Sequence, residues 1–142
     1  MVESEVAGGA FRAELEERRQ RWSDDDQRDK MSNRVTIRLA QLYRETDPDR
    51  QAIFNQALAD WVRSTDPGTW FDGAALISEF KVCAALPAVR EALAFWTERL
   101  SQYGDMQRGG EYGLLRSHAL SGVHMLEPLV RTLEAHEVVD FK

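Results

Sequence analysis

The chain has 142 residues, of which 43% are hydrophobic and 30% charged, with a formal net charge of −6. That balance supplies one packed domain and argues against wholesale disorder, and the negative sign disfavours a sequence-independent grip on nucleic acid. One cysteine, Cys83, excludes an internal disulfide framework and a multi-cysteine zinc site.

No apolar run approaches the ~20 residues that a membrane-crossing helix needs. The acidic start Met1-Val2-Glu3-Ser4-Glu5 has no apolar core of a secretory signal, so a cytoplasmic setting is expected. Residues 1–9 are expected to be disordered, within a single domain 1–142.

Helical periodicity begins with Phe11, Leu15, Arg19 and Trp22, spaced four, four and three apart. Ser23-Asp24-Asp25-Asp26 then offers an N-cap and first-turn acids, which predict a new helix start. Met31, Val35, Leu39 and Leu42 form its apolar stripe, ending near Tyr43. Asp47-Pro48 is a capping residue followed by proline at the first helical position. Phe54, Ala57, Leu58, Trp61 and Val62 make the buried face behind it. Asp66-Pro67-Gly68 breaks that helix, and a shorter one is predicted from about Trp70 to Phe80.

Leu86-Pro87 restarts the chain, with Val89, Leu93, Trp96 and Leu100 at helical spacing. Tyr103-Gly104-Asp105 through Gly109-Gly110 is predicted as a mobile loop. Leu115, Ala119 and Val123 mark another helix, and Pro128 is expected to open a last one carrying Leu129 and Leu133. No run shows sustained period-2 alternation. The reading is all-α, with seven helices.

Pro48, Pro87 and Pro128 recur at a spacing near forty, each opening an amphipathic helix preceded by another. The stretch from Gly73 to Leu93 resembles a HEAT repeat of the short bacterial type. The matching positions are Ala75, Leu76, Ala85, Leu86, Pro87, Val89 and Leu93. The third unit matches through Ala119, Leu120, Pro128, Leu129, Val130 and Leu133, the first only through Asp47-Pro48 and the helix behind it. The resemblance implies a short HEAT-like α-α superhelix of about three helix pairs with an N-terminal capping helix. It also implies that second helices line a concave surface.

The search for chemistry yields little. His118 and His124 are six residues apart, which does not place two ligands on one helical face; His124 and Glu127 have the right spacing but no second copy. Cys83 reads as a small residue in a turn beside Lys81. No phosphate-binding loop, nucleophile elbow or dinucleotide fingerprint is present. No catalytic residue, metal or cofactor is therefore expected.

All but three of the 18 basic residues are Arg, the exceptions being Lys30, Lys81 and Lys142. Arg50, Arg90 and Arg131 fall near the starts of the proline-led helices and are candidate partner-binding residues, with the guanidinium fork suited to carboxylate or phosphate. Trp70, after the Pro-Gly turn, is a fourth candidate because an exposed indole is a common recognition anchor. Trp61 and Trp96 fall on apolar faces and belong to the core. The functional expectation is a non-catalytic protein–protein interaction module of HEAT-like type, with another protein as partner and no membrane. The alternatives are a small acidic immunity- or antitoxin-type inhibitor of a basic partner and a HEAT-scaffold nucleic-acid-binding protein. The sequence does not fix the oligomeric state.

Overall fold

The computed structural model describes residues 2–29, 34–103 and 111–140, and every regular element among them is helical. The order is α1 (Val2–Asp29), α2 (Arg34–Glu45), α3 (Pro48–Val62), α4 (Pro67–Phe80), a 3-10 turn (Cys83–Ala85), α5 (Leu86–Tyr103) and α6 (Glu111–Asp140). Met31 and residues 104–110, the core of the expected mobile loop, lie outside the described residues.

The local start signals work where side chain and backbone settle the matter alone. Asp47 accepts from the backbone N–H of Arg50 at 3.0 Å, with Pro48 in the first turn of α3. Asp66 does the same for Thr69 at 3.1 Å with Pro67 behind it, so Asp66-Pro67-Gly68 both ends one helix and opens the next. Helix α4 stops at Lys81, whose φ of 51° is left-handed, and the Val82 N–H returns to the Ile77 carbonyl at 3.1 Å.

Two expected boundaries are corrected. Helix α1 does not break at Ser23–Asp26 but runs on to Asp29, and it also includes residues 2–9, which the sequence reading expects to be disordered. The acids there serve a different helix. Buried Asp26 accepts from the Val35 backbone N–H at 2.9 Å and from Arg34 Nε at 3.1 Å, so it caps the start of α2 from outside. Nor does Pro128 open a helix. It lies inside α6, which continues from Glu111 to Asp140. Pro128 is exposed while Leu126, Leu129, Val130 and Leu133 are buried, so packing of that face outweighs the one lost helical hydrogen bond. The last two expected helices are one.

Packing follows chain order in pairs. α3 lies along α4 and α5 along α6; α1 touches α2 and α3, while α4 also meets α2 and α6. Two helical glycines set the close approaches. A Cβ on Gly73 would sit 2.8 Å from the Val62 backbone N, and one on Gly122 would sit 2.6 Å from Trp96 Cγ. Gly73 thus brings α3 and α4 backbone to backbone, and Gly122 lets the Trp96 indole lie flat on α6.

The core centres on Phe54, in ring contact with Phe11, Tyr43 and Trp61 at 6.4, 5.1 and 6.5 Å. Leu15, Leu39, Leu58, Leu76, Ile77, Leu126 and Leu133 fill the rest. Each such side chain contributes about 1.5–3 kcal/mol on burial. Trp61 and Trp96 are core residues, as the sequence predicts. Cys83, in the 3-10 turn, packs against this core with its Sγ 3.9 Å from the Leu133 carbonyl.

Candidate functional site

Two concavities flank α4. The first is an open groove of about 350 Å³ between α2 and α4, lined by Thr36, Ile37, Ala40, Ala75 and Leu76, with Arg44 and Glu79 at its edge. Ile37 is 65% exposed there, although Val35, Leu39 and Ala40 of the same helix are buried. Arg44 Nη2 meets Glu79 Oε1 at 3.1 Å, so the groove carries a closed ion pair beside an apolar floor. Phe71, 40% exposed, lies one turn before Ala75 on α4. Ile37 and Phe71 are two of the three exposed large hydrophobic residues among those described; the third is Leu120.

The second is a cavity of about 510 Å³ where α1, α2, α4 and α6 meet. Ser23 comes from α1, Val35 from α2, Trp70, Phe71 and Asp72 from α4, and His118, Ser121 and Met125 from α6. The local sequence explains the placement. The Asp66 cap fixes the first turn of α4, and the close approach at Gly73 holds the next turn against α3, leaving Asp72 on the inner side. On α6 the spacing of His118, Ser121 and Met125 follows one helical face.

Asp72 is 4% exposed. Its Oδ2 lies 3.6 Å from Arg19 Nη1, a pair too long for an ordinary hydrogen bond. Burial pushes its carboxyl up to about 6; Arg19 pulls the other way, and the charges of Asp26 and Asp66 add to the rise. Arg19 is itself packed over the Trp61 ring at 5.7 Å, and its Nε is buried with no partner among the described residues. The Trp70 Nε1 is likewise buried with no acceptor among them.

Asp72 on α4 and His118 and Ser121 on α6, all lining the cavity, are residue types of a hydrolytic triad. Among the described hydrogen bonds none joins these three residues. No group of three or more metal-ligating side chains occurs among the described residues. Among those residues, too, no helix is long and apolar enough to cross a membrane.

The sequence-predicted site residues are dispersed. Arg50 is exposed on α3, 3.9 Å from Asp47 and over the Phe11 ring at 5.6 Å. Arg90 reaches Glu134 at 3.5 Å across the α5–α6 seam, and Arg131 is bonded to Glu127 on α6 itself. Trp70 is 5% exposed, so its neighbour Phe71 is the ring that meets solvent. Asp72 and Ile37 were not singled out by sequence. The signal for Asp72 was available: it is the one acid within the apolar run Trp70 to Ile77. Nothing local marks Ile37, whose exposure is decided by how α2 rolls against α4.

Comparisons with protein-family models, with curated proteins and with solved structures give no match to this chain.

Proposed function

We propose that this chain is a non-catalytic protein-binding module whose contact face is the α2–α4 groove, and that its occupant is an amphipathic helix of another protein. One observation carries the reading: Ile37 stands 65% exposed at the edge of a groove whose floor is Ala40, Ala75 and Leu76. The two alanines of the floor let a helix backbone come close, and a large apolar residue beside them supplies an anchor. Arg44 and Glu79, paired with each other at 3.1 Å, form a polar rim around that apolar floor.

The HEAT-like reading of the scaffold goes with this function. It draws weaker support from the packing, because its best unit, Gly73 to Leu93, would pair α4 with α5, whereas α4 lies along α3 and α5 along α6. The acidic-inhibitor reading has less support, because Glu16, Asp25, Asp60, Glu79 and Glu91 are spent in ion pairs on several helices.

The test compares what the chain and its Ile37→Asp variant retain from the native source, with Leu120→Asp as a control at the third exposed apolar residue. A protein held by the chain and by Leu120→Asp but lost by Ile37→Asp, and then shown to bind with purified components through a helical segment, supports the reading. Equal retention by all three overturns it.

A further inference from the structure

The cavity on the other side of α4 is walled by four helices, and its walls are fixed by contacts made elsewhere. α4 is held to α3 where Gly73 meets the Val62 backbone, and α6 is held to α5 where Gly122 meets the Trp96 indole. The bond from the Val35 N–H to Asp26 ties the start of α2 to α1. Trp70 is in ring contact with Trp96 at 6.0 Å and with Phe71 at 6.4 Å, which sets the aromatic wall. Closing the cavity would undo these contacts, so a space of about 510 Å³ belongs to the packed fold.

Among the lining residues Val35 and Trp70 are buried, whereas Gly68, Phe71 and Ser121 are exposed. The space is therefore deep on one side and open on the other. Its larger side chains are apolar or aromatic: Val35, Trp70, Phe71 and Met125. The acid that lines it, Asp72, faces Arg19 at 3.6 Å, the two side chains being 6% and 11% exposed. That charge is answered inside the fold, and no lysine or arginine occurs among the described lining residues. Neither sign of charge is therefore called for in an occupant. Water along an apolar floor finds few partners, so an apolar molecule that displaces it gains free energy. The volume falls in the range of small-molecule sites.

We propose that this cavity binds one small neutral aromatic molecule, bicyclic in size, whose rings lie against Phe71, Met125 and Val35. The lining shares no residue with the α2–α4 groove, so either proposal can fail without the other.

Three probes of one shape and different charge test it: naphthylmethanol, naphthylmethylamine and naphthoate, which are neutral, cationic and anionic at neutral pH. The purified full chain is titrated with each by calorimetry and by carbon–proton NMR of its methionine methyl groups. The Met125 signal is assigned by its loss in Met125→Leu. One neutral probe is expected to bind per chain, saturating below about 1 mM and moving the Met125 signal as it does so. Either ion should bind about tenfold or more weakly, because its charge gives up water for an apolar lining.

Ser121→Trp on α6 and Gly68→Phe on α4 narrow the mouth from two helices. Ser121 is exposed, and a Cβ on Gly68 meets only Asp66 Oδ2 at 3.7 Å, so both changes leave the core untouched. Each should weaken the neutral probe about tenfold or more at unchanged helical circular dichroism; should one fail to fold, the other decides. Leu120→Ser, at an exposed apolar residue outside the lining, should bind the probe as the unaltered chain does. Equal affinity for the three probes, tighter binding of either ion, or no saturable binding of the neutral one overturns the proposal. So does undiminished binding by the mouth variants, or an equal loss in Leu120→Ser.

Discussion

Asp26 and Val35 join two helices by a single bond: the carboxylate Oδ2 in the last turn of α1 accepts from the backbone N–H in the first turn of α2, at 2.9 Å. A helix start leaves four N–H groups without internal partners, and here one of them is satisfied from a neighbouring element rather than from the preceding residue. Both residues are buried, so water does not replace the bond once it is lost.

Asp26→Ala should therefore destabilise the chain by about 1–3 kcal/mol, since it leaves a buried N–H unpaired and removes the bond from Arg34 Nε. Asp26→Asn keeps one oxygen and should cost about half as much. Urea unfolding of the two variants gives the comparison. Equal stability of Asp26→Ala and the unaltered chain would show that the bond contributes nothing.

The glycines give a second set of predictions with opposite signs. Gly9 faces open space in α1, so Gly9→Ala should stabilise by about 0.5–1 kcal/mol through helix propensity alone. At Gly73 the added methyl meets α3 backbone at 2.8 Å, and at Gly122 it meets the Trp96 ring. Gly73→Ala and Gly122→Ala should each cost about 1–3 kcal/mol despite the same gain in propensity. The Gly122→Ala loss should be smaller in a Trp96→Leu background, whereas that of Gly73→Ala should not change. Thermal unfolding of the unaltered chain and these six variants decides both points.

Lys81 is the described non-glycine residue with a left-handed φ. Lys81→Gly removes that strain and should raise stability by up to about 1 kcal/mol, less the small loss of the bond from its Nζ to the Ser78 carbonyl. A drop in the unfolding midpoint would contradict the assignment of Lys81 as the helix stop.

Pro128 predicts a gain as well. On the exposed face of α6 it removes one helical hydrogen bond, so Pro128→Ala should stabilise by about 1–3 kcal/mol and raise helical circular dichroism slightly. If the chain instead broke into two helices there, alanine would give no gain.

Asp72 gives stability a pH dependence of known sign. Burial, against the pull of Arg19, raises its carboxyl to about 6 from the ordinary aspartate value near 4. The folded state then holds the proton more tightly than the unfolded chain does. The stabilisation is complete below about pH 4 and is lost as pH rises through about 6, roughly 3 kcal/mol in all. The stability difference between the chain and Asp72→Asn, measured across this interval by urea unfolding, should change by that order in favour of Asp72→Asn at the higher pH. A pH-independent difference would mean that Asp72 titrates as it does in the unfolded chain.

What the sequence determined by itself is whatever a few neighbouring residues decide. Asp47-Pro48 and Asp66-Pro67 start helices because the cap and the ring act within one turn, and the spacing of Phe54, Leu58 and Trp61 announces a buried face because 3.6 residues make a turn. The all-helical class follows from such local rules.

The tertiary structure decided the rest. Asp24–Asp26 reads locally as a helix start, but Asp25 and Asp26 bond forward to Arg38 and Arg34, and α1 runs through them. Pro128 reads as a start too, yet the buried face of α6 on both sides of it outweighs the break. Gly73 and Gly122 carry no local signal of the helix and the indole they admit. The two concavities exist only where separate helices converge, so the charge on Asp72 and the exposure of Ile37 are set by neighbours about thirty to fifty residues away in the chain. Contacts of that range depend on the shape of the whole packed core, which no short stretch of sequence encodes.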